Sequence, residues 1–250
     1  MANAYYSEGT ERSSRVRALF DRIARRYDLI NDVQSLGLHR LWKRAVIRQV
    51  AAVNPRRVLD VCCGTGDLTL AFRQRGIDST GIDFSGAMLA QARARALAPE
   101  PSGRSSTACF AQADALQLPF ADGTFDAVTI SYGLRNLADI DRGLGELLRV
   151  LRPGGLLVVL DFGKPAASWW RWCYFNYLAV AVPVFGWLFV GDATAYAYIL
   201  ESLKHYPAQR GIEQRLNNLG CDAVEVEEFL GGAMAINTAQ KPGTRKQEGH

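Results

Sequence analysis

Short apolar runs alternate along this chain with segments whose apolar positions recur at helical spacing. The first run, Val58–Val61, breaks into the turn Gly64-Thr65-Gly66. The spacing predicts strands over Arg57–Cys63, Ser79–Phe84, Thr107–Asp114, Phe125–Ser131 and Leu156–Phe162. The last is almost wholly apolar, as a strand buried on both faces must be. Gly86–Leu97 and Ile140–Leu151 read as helices, the second closed by the stop signal Arg152-Pro153-Gly154-Gly155. Regular alternation of this kind argues a parallel α/β sheet with right-handed crossovers. Ala223–Gly231 and Ala233–Gln240 add a terminal pair around Gly231-Gly232, giving seven strands in a doubly wound sheet. Residues 13–50 form a helical arm ahead of it, and residues 165–205 form an insertion before the last pair, both expected to close over the carboxyl edge.

Candidate chemistry sits where the strands end. Asp60 and Asp83 close two successive strands, and in an open α/β sheet ligands bind outside the carboxyl ends, at the point where the winding reverses. A pyrophosphate wants free N–H groups and no neighbouring carboxylate. Here the turn continues Gly66-Asp67, so the third glycine of a dinucleotide fingerprint is missing and an acid stands near the site. Acids suit S-adenosylmethionine instead, with its cationic amine and sulfonium and its ribose diol. On this reading Asp83 holds the ribose, while Asp60 and the Gly64–Gly66 backbone lie near the methionine end. Asp114 accepts from the adenine amine, and the Ala115 N–H donates to the ring. An ordinary strand–turn–helix with two helix-capping acids would carry the same first residues.

Four stretches narrow the reading: Tyr27-Asp28-Leu29-Ile30-Asn31 through Ser35, His39 and Trp42; Gly64-Thr65-Gly66-Asp67; Ile130-Ser131-Tyr132-Gly133-Leu134-Arg135-Asn136; and Arg149-Val150-Leu151-Arg152-Pro153-Gly154-Gly155. In these the chain resembles the class I S-adenosylmethionine-dependent methyltransferases, and more narrowly the ubiquinone/menaquinone biosynthesis C-methyltransferases. The resemblance runs from about Arg15 to Lys241 and implies a Rossmann-like methyltransferase sheet with an antiparallel last strand. It also implies cofactor contacts at Thr65, Asp83, Asp114, Ala115 and Ser131. Gln34, where the family usually has an apolar residue, and Asn237, where a histidine is common, are departures.

The expected reaction is C-methylation of a polyprenylated naphthoquinol or related benzoquinol, by in-line transfer to an aromatic carbon activated by loss of a phenolic proton. Arg135 is expected to stabilise the resulting oxyanion, with Asn136 holding its loop or donating a second bond. Tyr27, Asp28 and His205 are the candidates to accept the proton, with a surface-loop role the alternative for His205. Tyr27 and Asn31, one helical turn apart, are placed to cover the cofactor. His39 reads as structural or as part of a lid. Alternatives are transfer to oxygen or nitrogen of another small hydrophobic acceptor, or a non-catalytic scaffold of quinone biosynthesis.

Charge and composition change the picture in one place each. The 250 residues carry a net charge of +4, yet residues 1–60 hold 12 Lys and Arg against 6 Asp and Glu. Much of the excess lies between Val16, Leu19, Phe20, Ile23 and Tyr27, at helical spacing: a membrane-surface helix, or one packed on the domain with a solvated basic face. No nucleic-acid motif accompanies it. Trp172–Gly191 carries no charge over 20 residues, but Asn176, Pro183 and Gly186 interrupt it. The pattern predicts two helices broken at Pro183, forming an apolar cap whose aromatics serve a lipid, a homodimer or the core alone. Five cysteines without metal or disulfide spacing, and an N-terminus with no secretory apolar stretch, point to the cytoplasm, with contact at the inner membrane face. Residues 1–12 and 242–250 are expected to be disordered.

Overall fold

The computed structural model describes residues 10–97, 106–190, 200 and 202–243. Seven strands form one sheet: β1 (Arg57–Val61), β2 (Asp78–Asp83), β3 (Ala108–Gln112), β4 (Phe125–Ser131), β5 (Leu151–Phe162), β6 (Asp222–Phe229) and β7 (Met234–Gln240). Their order is β3-β2-β1-β4-β5-β7-β6, with β7 antiparallel to both neighbours and the other neighbouring pairs parallel. The winding reverses between β1 and β4, which pair in register from Val58 with Ala127 to Val61 with Ile130. Apolar strands bury both faces: Val58, Leu59, Val61, Val128, Ile130 and Leu157 have essentially no exposure.

Two helical layers cover these faces. On one side α6 (Ile140–Val150) and α8 (Ala208–Asn218) turn Leu144, Leu147, Ile212 and Leu216 inward. Each fully buried leucine contributes about 1.5–3 kcal/mol relative to exposure. On the other side α3 (His39–Ala52) and α4 (Asp67–Arg73) bury Trp42, Val46, Val50, Leu68 and Phe72. The remaining helix of the parallel half, α5 (Gly86–Ala96), is capped by Ser85, whose Oγ accepts from the Met88 N–H at 3.1 Å.

The arm consists of α1 (Thr10–Ile23), α2 (Tyr27–Ser35) and α3, and its first helix starts ahead of residue 13. Leu19 and Ile23 of α1 are buried in a third cluster with Ile30, Tyr174 and Leu178. This apolar face is therefore spent inside the protein, which corrects the membrane-helix reading of α1 and leaves Arg22 and Arg26 on the outside. The insertion also differs from expectation: α7 (Ser168–Val190) runs as one helix through position 183. Pro183 withholds only its own N–H from the ladder, and the helical residues on either side carry the chain past it. No helix among the described residues is long and apolar enough to cross a membrane. Of the ends expected to be disordered, 1–12 and 242–250, residues 1–9 and 244–250 lie outside the described residues, as do 98–105 and, within the insertion, 191–199 and 201.

Candidate active site

Two cavities share a wall above the carboxyl ends of the strands. The first, about 550 Å³, lies at the switch point between β1 and β4. Past Val61 the backbone turns through left-handed conformations at Cys62 (φ 56°), Gly64 (φ 56°) and Gly66 (φ 83°). Gly64 lines the cavity, and its N–H donates to Asp83 Oδ2 at 2.8 Å. Asp83 Oδ1 accepts from the Ser85 N–H at 2.8 Å. Burial pushes the Asp83 carboxyl above its ordinary range, and these backbone donors oppose the shift by favouring the charged form. Asp114 lies just beyond β3, where one oxygen accepts from the Leu116 N–H at 2.9 Å. Asp114, Ala115, Ser131, Tyr27 and Asn136 are all on the same wall.

Ser131 Oγ and Asn136 Oδ1 are buried there with no hydrogen-bond partner. Each such atom costs about 1–3 kcal/mol until something polar reaches it. Two acids, two unsatisfied polar atoms and an apolar floor of Ile82, Met88 and Leu116 fit a ligand with a diol and a flat heterocycle, as S-adenosylmethionine has.

Three residues expected at this site stand behind the wall. Asp60 is 2% exposed, and its oxygens accept from Thr69 N–H and Oγ1 and from Thr129 Oγ1, at 3.1, 2.7 and 2.9 Å. It is a buried tie between β1, β4 and α4, so its placement at the methionine end is corrected. Burial pushes its pKa up to about 6, against those hydrogen bonds. Thr65 turns its hydroxyl to Asp28 Oδ1 at 2.8 Å, and Gly66 faces Phe110 and Ala92, where a Cβ would come within 2.9–3.1 Å. Both shape the turn without lining the cavity. Asp67, which follows, is raised by burial, but Lys43 at 2.6 Å and Arg95 at 2.7 Å outweigh that and hold it down to about 2.

The second cavity, about 390 Å³, is walled by α1, α2, α3, α7 and the loop after β4. Phe20, Tyr27 and Tyr132 line both cavities and form the partition. Tyr132 holds a left-handed φ of 59°, which costs a bulky residue about 1–2 kcal/mol and aims its ring between the two spaces. Its hydroxyl is buried without a partner. Arg135 lines the second cavity, with Nη1 donating to Asp161 Oδ1 and to Tyr132 O, each at 2.7 Å, and its guanidinium 4.7 Å from the Phe162 ring centre. Asn136 donates to Tyr132 O at 3.2 Å, which ties the loop to itself, and lines the first cavity rather than the second.

The expected proton acceptors are not gathered around that space. Burial pushes the Tyr27 phenol up to about 12, so it is protonated and can donate a hydrogen bond but not take a proton. Asp28 is bound to Thr65 and lies 3.4 Å from Arg95, on neither cavity wall. His205 is exposed and on neither wall. Asn237 is a buried tie whose amide donates to Gln209 O at 2.9 Å. Asp161, partner of Arg135, was missed, although it ends the apolar run of β5 just as Asp83 ends β2. Gln34, Ser35 and His39, on the second cavity, were also missed as site residues.

A model of the ubiE/COQ5 methyltransferase family matches residues 9–241. The chain belongs to this family. It is an S-adenosylmethionine-dependent methyltransferase. A demethylmenaquinone methyltransferase of Parafrankia is 41% identical to it, over 93% of this chain and 96% of its own. The ubiquinone/menaquinone biosynthesis C-methyltransferase UbiE of Pseudomonas paraeruginosa is 39% identical over 93% and 91%. The methyltransferase also shares its fold with a putative S-adenosyl-L-methionine-dependent methyltransferase of Methanococcus maripaludis, with a TM-score of 0.61 at 17% identity, covering 91% and 96% of the two chains.

Proposed function

We propose that this methyltransferase C-methylates a polyprenylated quinol, a demethylmenaquinol or a related naphthoquinol or benzoquinol, in isoprenoid quinone biosynthesis. The observation that carries the reading is the apolar second cavity set against the cofactor cavity across Tyr27, Tyr132 and Phe20. A flat ring there meets aromatic faces of Phe20, Tyr27, Tyr132 and Phe162, and an isoprenoid tail meets Leu19, Ile23, Leu178 and Ala181. Relatives named for quinone methylation support the same substrate class.

S-adenosylmethionine supplies the electrophilic methyl group when bound. The chain's own groups do the rest. Asp83, Asp114 and Ser131 orient the donor, and the partition keeps water from the reacting atoms while bringing two spaces into contact. Arg135 faces the acceptor with its charge balanced by Asp161, so it offers oriented N–H donors to a developing phenolate more than a net positive charge.

The mouth of the second cavity supports work at a membrane surface. Leu36 and Tyr177, both on its wall, are 84% and 51% exposed, and Trp169, Trp172 and Val180 of α7 stand close by in sequence at 71, 69 and 68%. Apolar area of that kind suits extraction of a lipid-tailed substrate from the inner face of a bilayer, or a second copy of the chain. Quinone profiling of cells lacking the protein tests the reading. Accumulation of a demethylated quinone, reversed by the purified enzyme with S-adenosylmethionine, is the expected result; an unchanged quinone pool would overturn it.

A further inference from the structure

Carbon methylation of a phenol releases one proton, and none of Tyr27, Asp28 and His205 is arranged to take it. A line of three other side chains begins on the second cavity and ends outside it. Ser35 Oγ lies 2.8 Å from His39 Nδ1, and His39 Nε2 lies 3.6 Å from Asp32 Oδ1. Ser35 and His39 are on the cavity wall, and the His39 side chain is only 7% exposed. Asp32 is off the wall, 30% exposed and clamped by Arg40. Local backbone makes the alignment. Asp32 and Ser35 lie one turn apart on α2, Leu36 (φ 50°) and Gly37 (φ 77°) reverse the chain, and His39 is the first residue of α3.

We infer that Ser35, His39 and Asp32 form a proton relay that carries the acceptor's hydroxyl proton from the apolar chamber to solvent. The inference rests on the quinol reading above. In the step it describes, the acceptor's O–H bond breaks and its electron pair stays on oxygen. The proton goes to Ser35 Oγ as Ser35 passes its own to His39 Nδ1. The ring carbon then takes the methyl group from the sulfonium, with a C–C bond formed and the C–S bond broken. Its C–H proton returns to the oxygen, which restores the aromatic hydroxyl. His39 releases its Nε2 proton past Asp32 to water, so one proton leaves and the sulfonium charge is discharged.

The local hydrogen bonds allow both states of such a relay. Ser35 Oγ donates to Asn31 O at 2.6 Å and accepts from the His39 backbone N–H at 3.2 Å, and its 2.8 Å contact with Nδ1 runs in either direction according to the ring tautomer. With the ring as its Nε2–H tautomer, that N–H faces Asp32 and Nδ1 is an acceptor, so rotation of the Ser35 hydroxyl turns its proton to Nδ1. Burial, first of all, favours a neutral resting ring. Burial and Lys43 lower its pKa, Asp32 and Asp67 raise it, and Arg40 lowers it further, for a net downward shift. A neutral imidazole is what the proton requires on arrival.

The test uses purified enzyme, S-adenosylmethionine and a short-tailed demethylmenaquinol, comparing wild type with His39→Gln and Ser35→Ala across pH. The relay predicts kcat lowered about 10²-fold near neutral pH in both. It also predicts an unchanged KM for S-adenosylmethionine and recovery of rate as the pH rises toward the phenol's own ionisation. A merely structural role would lower activity without that pH-dependent recovery. Wild-type kcat and pH profile in Ser35→Ala overturn the relay, and this variant decides the matter if His39→Gln does not fold. Wild-type enzyme that methylates no quinol overturns the proposed function itself, which separates the two failures.

Discussion

Arg135 and Asp161 meet at 2.7 Å with side chains 5% and 2% exposed. The arginine expected to stabilise the acceptor's oxyanion thus arrives already paired with a carboxylate, and its loop is held by the same bond. Removing one member of a buried pair strands the other, at a cost of about 3–5 kcal/mol. Arg135→Ala should therefore unfold at markedly lower urea concentration than wild type, and adding Asp161→Asn should recover much of the loss. Activity should remain low in both, which distinguishes a lost donor from a lost fold.

Asp83 should govern cofactor affinity. On the proposed placement of the donor, Asp83→Ala removes a charge-assisted acceptor for its ribose hydroxyls, and it leaves the Gly64 and Ser85 N–H groups without their partner. Binding of S-adenosylhomocysteine by calorimetry should weaken about 10–100-fold, in line with roughly 1.5–3 kcal/mol for a hydrogen bond to a charged group. Because the folded carboxyl titrates above its ordinary 3.8, wild-type affinity should begin to fall at a higher pH than a solvent-exposed aspartate would dictate.

Asp60 gives a pH signature of opposite sign to the usual salt-bridged acid. Its pKa rises from 3.8 unfolded to about 6 folded, so between those values the folded state binds the extra proton. Its contribution to stability is then full below about 4 and is lost as pH rises through about 6, amounting to about 3 kcal/mol. Asp60→Asn, which can still accept from Thr69, should flatten that part of the melting-temperature profile. A profile identical to wild type between pH 4 and 6 would refute this account.

Gly133→Ala should be poorly tolerated for a stated reason. A Cβ there would lie 2.5 Å from Cys62 Cβ and 2.6 Å from its Sγ. Overpacking of this kind costs about 1–3 kcal/mol. Cys62 itself holds φ 56°, which glycine adopts without strain, so Cys62→Gly should relieve both problems and rescue Gly133→Ala in thermal melts.

The sheet and the acids at its strand ends were legible in the sequence because each rests on a local pattern. Phe125–Ser131 was bounded to the residue, and Asp83, Asp114 and Ser131 stand at strand ends that hydrophobic runs reveal. Asp60 and Thr65 were misplaced because a strand-end position does not say toward which face a side chain turns. Asp60 points to α4, and Thr65 points to the arm. The second cavity was harder to see. Its walls come from the α1–α3 arm and from α7, far apart in sequence, and although Ser35 and His39 belong to a stretch that carries the resemblance, nothing in their spacing says that they and Gln34 face one cavity. Pro183 reads as a break because a proline's missing donor is a local fact, whereas the continuity of α7 rests on the helical residues on both sides of it.

The position of β7 has a consequence for biosynthesis. It lies between β5 and β6 although both precede it in the chain, so β6 has no seat until the segment after it has left the ribosome. Until then β5 offers an open, apolar edge, which is a template for pairing with other nascent chains. Molecules stalled before Met234 should accordingly be clients of chaperones rather than partly working enzymes.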